Sequence, residues 1–430
     1  MSDSYNLGFQ NFRSIADATV EISPLTVVYG ANGSGKSSLI YGLLTLKNFL
    51  NNPNQVTPSF FSYPSISLGG RQEVIHRHLV DKSIAFSIGT SSEEELSANF
   101  TLTLHESGGA VEISFDERSV RRDRRIAAWP NSLGMTIAVP YTANQQVDNP
   151  FALAHRRVSQ MVQRGQDTPQ IPGTVFWNGL ILSARLNTDA TAYSEVIGQL
   201  VERANLPLEL ARQTGFVPLR RGFSKPAYTF SNVTQALTNE DEVASLLAAP
   251  TERFGQYEIS RYVERIANRR IQTQPQIGTS TFTIDSIPIG TGVPASIVNE
   301  GFGINQLVYM LTICLFSRFK IVAIEEPEIH LHPSMVRRLA TALAEIAAEK
   351  GRRLIVSTHS EAFVVSLLSQ ISAGKISCKD VSFILAENQR GITTFAQQHA
   401  TEKGQIEGGL RAFMASEAKD LVDFLGTSGG

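Results

Sequence analysis

Gly30-Ala31-Asn32-Gly33-Ser34-Gly35-Lys36-Ser37 fits the phosphate-loop pattern G-x-x-x-x-G-K-[ST] at every fixed position. The apolar run Leu25-Thr26-Val27-Val28-Tyr29 before it reads as a buried strand, and Ser38-Leu39-Ile40-Tyr41-Gly42-Leu43-Leu44 after it as the start of a helix. Strand, glycine loop and helix are the context the pattern requires. The glycines let the backbone wrap a phosphate chain with its N–H groups inward, and the helix N-terminus adds partial positive charge. Gly30, Asn32, Gly33, Ser34, Gly35, Lys36, Ser37 and Ser38 are therefore the expected nucleotide-binding residues. Lys36 would reach the β- and γ-phosphates of ATP, and the Ser37 hydroxyl would hold Mg²⁺.

A phosphate loop binds; hydrolysis needs a carboxylate elsewhere. Lys320-Ile321-Val322-Ala323-Ile324-Glu325-Glu326 supplies a strand with no polar interruption and two acids at its C-terminal end. That end is where an open α/β sheet places its ligands. Glu325 is expected to orient Mg²⁺, and Glu326 to position and deprotonate the attacking water. A second apolar strand, Leu354-Ile355-Val356, ends in Ser357-Thr358-His359-Ser360, and a histidine there can hydrogen-bond a γ-phosphate.

Working outward, Leu7 to Ile22 alternates like a hairpin, and strand-like runs follow at 83–88, 98–104 and 110–115. They suggest an antiparallel side sheet. Residues 117–150 read as irregular and 149–271 as largely helical, with one helix ending before Pro207 and another through Tyr257 and Ile266. The last third returns to α/β: a buried helix over 305–316, then a helix that begins at Pro333 and stops at Gly351. The expected division is an N-terminal ATPase lobe (1–148), a mainly helical middle lobe (149–275) and a C-terminal ATPase lobe (276–430).

Composition narrows the classes. With 38 Lys and Arg against 40 Asp and Glu the chain is no polycation, so any nucleic-acid contact needs a local patch. Arg118, Arg121, Arg122, Arg124 and Arg125 form one candidate, and Arg220-Arg221 with Lys225 a second. Two cysteines, Cys314 and Cys378, make neither a disulfide framework nor a zinc site by themselves. The longest apolar stretch, Leu307 to Phe316, is too short to span a bilayer, and the N-terminus lacks a secretory pattern. The expectation is a cytoplasmic protein without a membrane partner.

Gly301-Phe302-Gly303-Ile304-Asn305-Gln306, Ile324-Glu325-Glu326-Pro327-Glu328-Ile329-His330-Leu331-His332-Pro333 and Ser357-Thr358-His359-Ser360 follow the phosphate loop in that order. The series resembles the ABC-type ATPase heads of the RecF-like and overcoming-lysogenization-defect families, often grouped with AAA-family ATPases. Asn11-Phe12-Arg13-Ser14, Leu68-Gly69-Gly70-Arg71-Gln72 and Pro218-Leu219-Arg220 add to the likeness. The resemblance implies a P-loop NTPase of ABC-ATPase head type: a central, mostly parallel sheet, an antiparallel side sheet and an inserted helical lobe. It implies a head-to-head homodimer that sandwiches two ATP molecules. Gly301, Gly303 and Gln306 would belong to the signature loop that meets the partner's γ-phosphate; Arg13 would touch the nucleotide, and Gln72 would link Mg²⁺ to the side lobe. Gly301 stands where most ABC proteins have a serine, and Glu325 where an aspartate is usual.

His330 and His332 lack the further acid or cysteine of a metal site and read as parts of the dimer loop. After His359 the acids are dispersed, with no nuclease-like cluster. The expected function is a dimeric switch ATPase that controls an effector, such as a nuclease, on another chain or clamps nucleic acid, in anti-phage defence or DNA repair. A transporter subunit and a non-hydrolysing ATP-bound scaffold are the alternatives.

Overall fold

β1 (Leu25–Tyr29) is buried along its whole length, as a strand with no polar alternation must be when helices or other layers cover both faces. It lies inside a six-stranded sheet in the computed structural model of the chain. Going outward in sequence, α1 (Lys36–Asn51) follows the glycine loop, and β2 (Thr214–Val217) comes after a long excursion. Then come α2 (Phe302–Leu315), β3 (Ile321–Glu325), α3 (Pro333–Lys350), β4 (Arg353–Thr358), α4 (Glu361–Ser372), β5 (Val381–Gln389) and β6 (Ile392–His399). The sheet order is β2-β3-β4-β1-β5-β6. The pairs β3·β4, β4·β1 and β1·β5 are parallel, so β1, β3 and β4 end at the same edge.

The structure describes residues 4–406 except 53–54, 92–96, 107–108, 116–132, 140–155, 159–160, 164–172, 178–181, 187–190, 235–236, 238, 250–252 and 317. The chain divides into two compact units. One comprises Met1–Ile22, Ser38–Thr214 and Asn388–Thr394; the other comprises Ser23–Ser37, Gly215–Glu387 and Phe395–Gly430.

The second unit holds the parallel sheet and a large apolar core in which Val27, Tyr29, Val322, Ile324 and Val356 meet Leu307, Leu311, Leu339, Leu343 and Phe363. α3 starts and stops where the sequence indicates. Pro333 occupies its first turn, the His332 side chain accepts from the Ser334 N–H, and Gly351 caps the end with φ of 59°. A hairpin of Arg269–Pro275 and Thr281–Pro288, the helices Glu240–Ala248 and Arg253–Ala267, and a short strand, Tyr228–Thr229, complete the unit.

The first unit is built on the expected antiparallel sheet. Ser4–Phe12 pairs with Ile15–Ile22 and with Ile84–Ser91, and the sheet continues through Ala98–Leu104, Gly109–Phe115 and Leu133–Val139 to Met161–Gln163. The alternation of Ala98–Leu104, buried at every second residue, shows one face turned to a core. The region read as largely helical also carries a small sheet of Arg156–Val158, Gly173–Trp177 and Leu182–Leu186.

The helix expected to end before Pro207 runs from Thr191 to Arg212. A proline inside a helix costs about 3 kcal/mol. Pro207, Leu208, Leu210 and Ala211 are all buried beyond the break, and burial of side chains of this size, at about 1.5–3 kcal/mol each for leucine, outweighs that cost.

Candidate nucleotide site at the ends of the parallel strands

The glycine loop bridges β1 and α1 as the sequence requires. Gly30, Gly33 and Gly35 have φ of 149°, 77° and 98°, values that side-chain-bearing residues avoid. At Gly30 the constraint is also spatial, since a Cβ would lie 2.3 Å from the Ala386 carbonyl oxygen on β5. At Gly33 the surrounding space is open, and Ala31, Asn32 and Gly33 are exposed at the crest of the loop. The first turn of α1 carries no acid, so nothing of its own neutralises the N-terminal N–H groups.

Lys36 is buried, and its Nζ donates to the carbonyls of Gly30 (2.8 Å) and Ala31 (2.9 Å). Burial pushes its pKa below the ordinary lysine value, against the opposing pull of Glu326 and Glu328.

Those acids come from the end of β3. Glu325 is the last strand residue and is buried. Glu326 leaves the strand with φ of 40°, while its N–H still donates to the Ser357 carbonyl of β4 at 2.9 Å. Glu328 turns back into the protein: its Oε1 accepts from Thr358 Oγ1 (2.6 Å) and from the His359 N–H (3.1 Å). Its Oε2 is buried and has no hydrogen-bond partner among the described residues. His359 Nδ1 lies 3.5 Å from Glu326 Oε1 and 3.5 Å from Glu328 Oε1, with the imidazole half-exposed. The structure thus brings Glu326 and His359 together from two sequence motifs, adds Glu328, and sets Lys36 of the phosphate loop within electrostatic reach of both carboxylates.

Arg221 is the other residue that sequence reading misplaced. It is not part of a basic surface. Its Nη1 donates to the carbonyls of Glu325 (2.7 Å) and Pro218 (3.0 Å), and its Nη2 to that of Glu326 (2.9 Å). Lys225 is exposed but paired with Asp241 at 2.6 Å. Of the second basic group, then, Arg221 is turned onto backbone carbonyls and Lys225 is paired with an acid, while Arg220 is exposed. The first, Arg118 to Arg125, lies outside the described residues.

Gly301 caps α2 with φ of −59° and open space around it, and the neighbouring Phe302 is 75% exposed, resting on the His330 ring at 5.7 Å between centroids. Gly303 faces inward: a Cβ there would lie 2.5 Å from the His330 carbonyl oxygen. Gln306 is buried, and its Oε1 has no hydrogen-bond partner among the described residues. Arg13 and Gln72 belong to the first unit. The Arg13 guanidinium lies over the Tyr41 ring at 5.3 Å, and Gln72 is exposed on the short helix Arg71–Val74.

Residues 25–133 and 196–366, well over half of the chain, match the family model described as "AAA domain, putative AbiEii toxin, Type IV TA system". The chain belongs to this AAA family. No curated protein matches it. Among solved structures, this AAA protein is similar to an Smc head bound to the C-winged helix domain of ScpA (13% identity, 91% of this chain and 96% of that chain, TM-score 0.44). It is also similar to an Smc head with an extended coiled coil bound to the C-terminal domain of ScpA, derived from Pyrococcus furiosus (12% identity, 98% of each chain, TM-score 0.41). A third is the SMC head domain from Thermotoga maritima (11% identity, 92% and 98%, TM-score 0.39). The family assignment stands on the domain match alone.

The residues of this AAA protein fit a nucleoside triphosphate with a divalent cation. The left-handed glycines and the acid-free helix start provide an anion cradle, Lys36 a buried cation, and Glu325 and Ser37 the oxygens that a hard cation prefers. Among the described residues no group of three or more His, Cys, Asp or Glu is arranged to hold a metal by itself. No helix among the described residues is long and apolar enough to cross a membrane.

Proposed function

We propose that the protein binds and hydrolyses ATP as a dimeric ABC-type switch. The observation that carries this reading is the meeting of Lys36, Glu326, Glu328 and His359 at one edge of the parallel sheet, with His359 Nδ1 3.5 Å from both carboxylates. Lys36 would leave the carbonyls of Gly30 and Ala31 for the phosphates of the substrate. Glu326 would take a proton from the attacking water, and His359 would hydrogen-bond the γ-phosphate. Mg²⁺ would be held by Ser37 and Glu325, and would supply neutralisation of charge on the phosphates.

Open space at Gly301 and the exposed Phe302 support a docked second copy there, meeting a nucleotide on its partner at Gly301. We assign the chain to the RecF-like and overcoming-lysogenization-defect group on the Glu325-Glu326-Pro327-Glu328 run and the glycine at position 301. Its output would be control of an effector on another chain, such as a nuclease, or a clamp on nucleic acid, in anti-phage defence or DNA repair. The family's description as a toxin of a Type IV system supports the defence side of that reading.

The test is Glu326→Gln. It should keep ATP affinity by calorimetry, lose phosphate release by several orders of magnitude, and accumulate as the ATP-bound dimer in light scattering. If Glu325→Gln is instead the inactive variant and Glu326→Gln turns over, the two roles are reversed.

A further inference from the structure

We infer that Arg221 is a positioning residue that ties the head of α2 to the backbone of the carboxylate pair, so that the placement of Glu326 depends on how α2 is seated. The inference rests on the ATPase reading above and names a control on that same site. All the groups involved lie in the second compact unit.

At one end, the Arg221 fork spans two successive carbonyls, those of Glu325 and Glu326, just where β3 ends. A planar guanidinium can bridge such a pair, and a lysine ammonium cannot match its geometry. The peptide it grips is the one that brings Glu326 into a left-handed conformation, φ 40°, which glutamate does not adopt readily. An outside group that fixes the flanking carbonyls is therefore needed to keep the carboxylate where it is. Burial pushes the Arg221 pKa down to about 10, and Glu328, Glu325 and Glu326 pull it back up, so it remains a cation at neutral pH.

At the other end, the chain leaves Arg221 through Gly222, with φ of 131°, where a Cβ would lie 2.8 Å from Asn305 Oδ1. The next residue is clamped on both sides by one amide. The Phe223 N–H donates to Asn305 Oδ1 (2.6 Å), and Asn305 Nδ2 donates to the Phe223 carbonyl (2.8 Å). The same Nδ2 also reaches the Ile297 carbonyl at 3.2 Å. Asn305 is in the first turn of α2, directly behind Gly301 and Phe302. A path thus runs from the exposed head of α2 through the buried Asn305 hydrogen bonds to the Phe223 backbone, back along the main chain through Gly222 to Arg221, and through its part-buried hydrogen bonds to the peptides that flank Glu326. Contact at the head of α2 has a route to the acid without passing through any nucleotide.

The experiment uses the purified full chain with Arg221→Met, Arg221→Lys, Asn305→Ala and the Arg221→Met/Asn305→Ala double variant. ATP affinity is read by calorimetry, and kcat and KM by phosphate release. Arg221→Met should leave ATP affinity within about twofold and lower kcat by about 10- to 100-fold, the size typical of losing a group that orients a functional residue. Arg221→Lys keeps the buried charge without the fork and should recover only part of kcat; it also serves if the methionine variant does not fold. The double variant should lose no more than the worse single variant, because both cut one path. Loss of ATP affinity in step with kcat, or losses that multiply in the double variant, would overturn the inference. So would a wild type that turns over beside an Arg221→Met variant of equal kcat, and that result leaves the ATPase reading standing. A wild type that releases no phosphate overturns both.

Discussion

Two lysines of α1 are pushed the same way by burial. Lys36 keeps two backbone carbonyls and two nearby carboxylates, which is the setting of a group that holds a phosphate. Lys47 is buried too, and desolvation drives its pKa down to about 8. Its sign of linkage is clear. Between about pH 8 and the ordinary lysine value the unfolded chain binds the proton and the folded chain does not, so stability rises with pH over that window. Below about pH 8 both states are protonated and the cost of the buried charge is full. The gain across the window should approach about 3 kcal/mol, and denaturant midpoints at pH 7 and pH 10 would read it. Lys47→Met should lack that rise; an equal rise in both proteins would show that another group titrates there. At this scale the phosphate loop, Glu326 and His359 were legible, because each follows a strand that carries its own signal. Arg221 and Glu328 were not: an arginine turned onto backbone carbonyls and one turned to solvent look alike in a sequence.

α2 separates two glycines that the sequence reads as one motif. Both Gly301 and Gly303 were expected to permit close approach to a partner's phosphate. The structure gives Gly303 a different need, since its missing Cβ makes room for the His330 carbonyl. Gly303→Val should therefore destabilise the fold itself, by about 1–3 kcal/mol as overpacking does. Gly301→Leu meets open space at φ −59° and should melt like wild type. In the shared-site reading it should nonetheless lose most phosphate release, because the side chain stands where the partner's nucleotide must come. A Gly301→Leu protein with full turnover would remove this end of α2 from the site. The helix Thr191–Arg212 shows the opposite limit of legibility: Pro207 is a local stop signal, but burial of the residues after it is a tertiary fact that no local pattern displays.

At the scale of the whole molecule, the two ends of the chain were the readable parts. Unbroken apolar runs such as Ile321–Ile324 and Leu354–Val356 specify buried parallel strands, and their order around the glycine loop fixes where the acids stand. The middle was less readable, because short strands such as Arg156–Val158 and Leu182–Leu186 carry too few residues to show a period. The central claim is that each nucleotide site is completed by a second copy of the chain. Mixing tests it most directly. Lys36→Ala and Gly301→Leu are each purified, shown to be folded and to exchange subunits, and then combined in equal amounts. A mixed dimer keeps one site with both an intact phosphate loop and an intact facing glycine. Phosphate release should therefore reappear at about a quarter of the wild-type rate, since half of the dimers are mixed and each has one of two sites. Two inactive proteins that stay inactive when mixed would contradict the shared site.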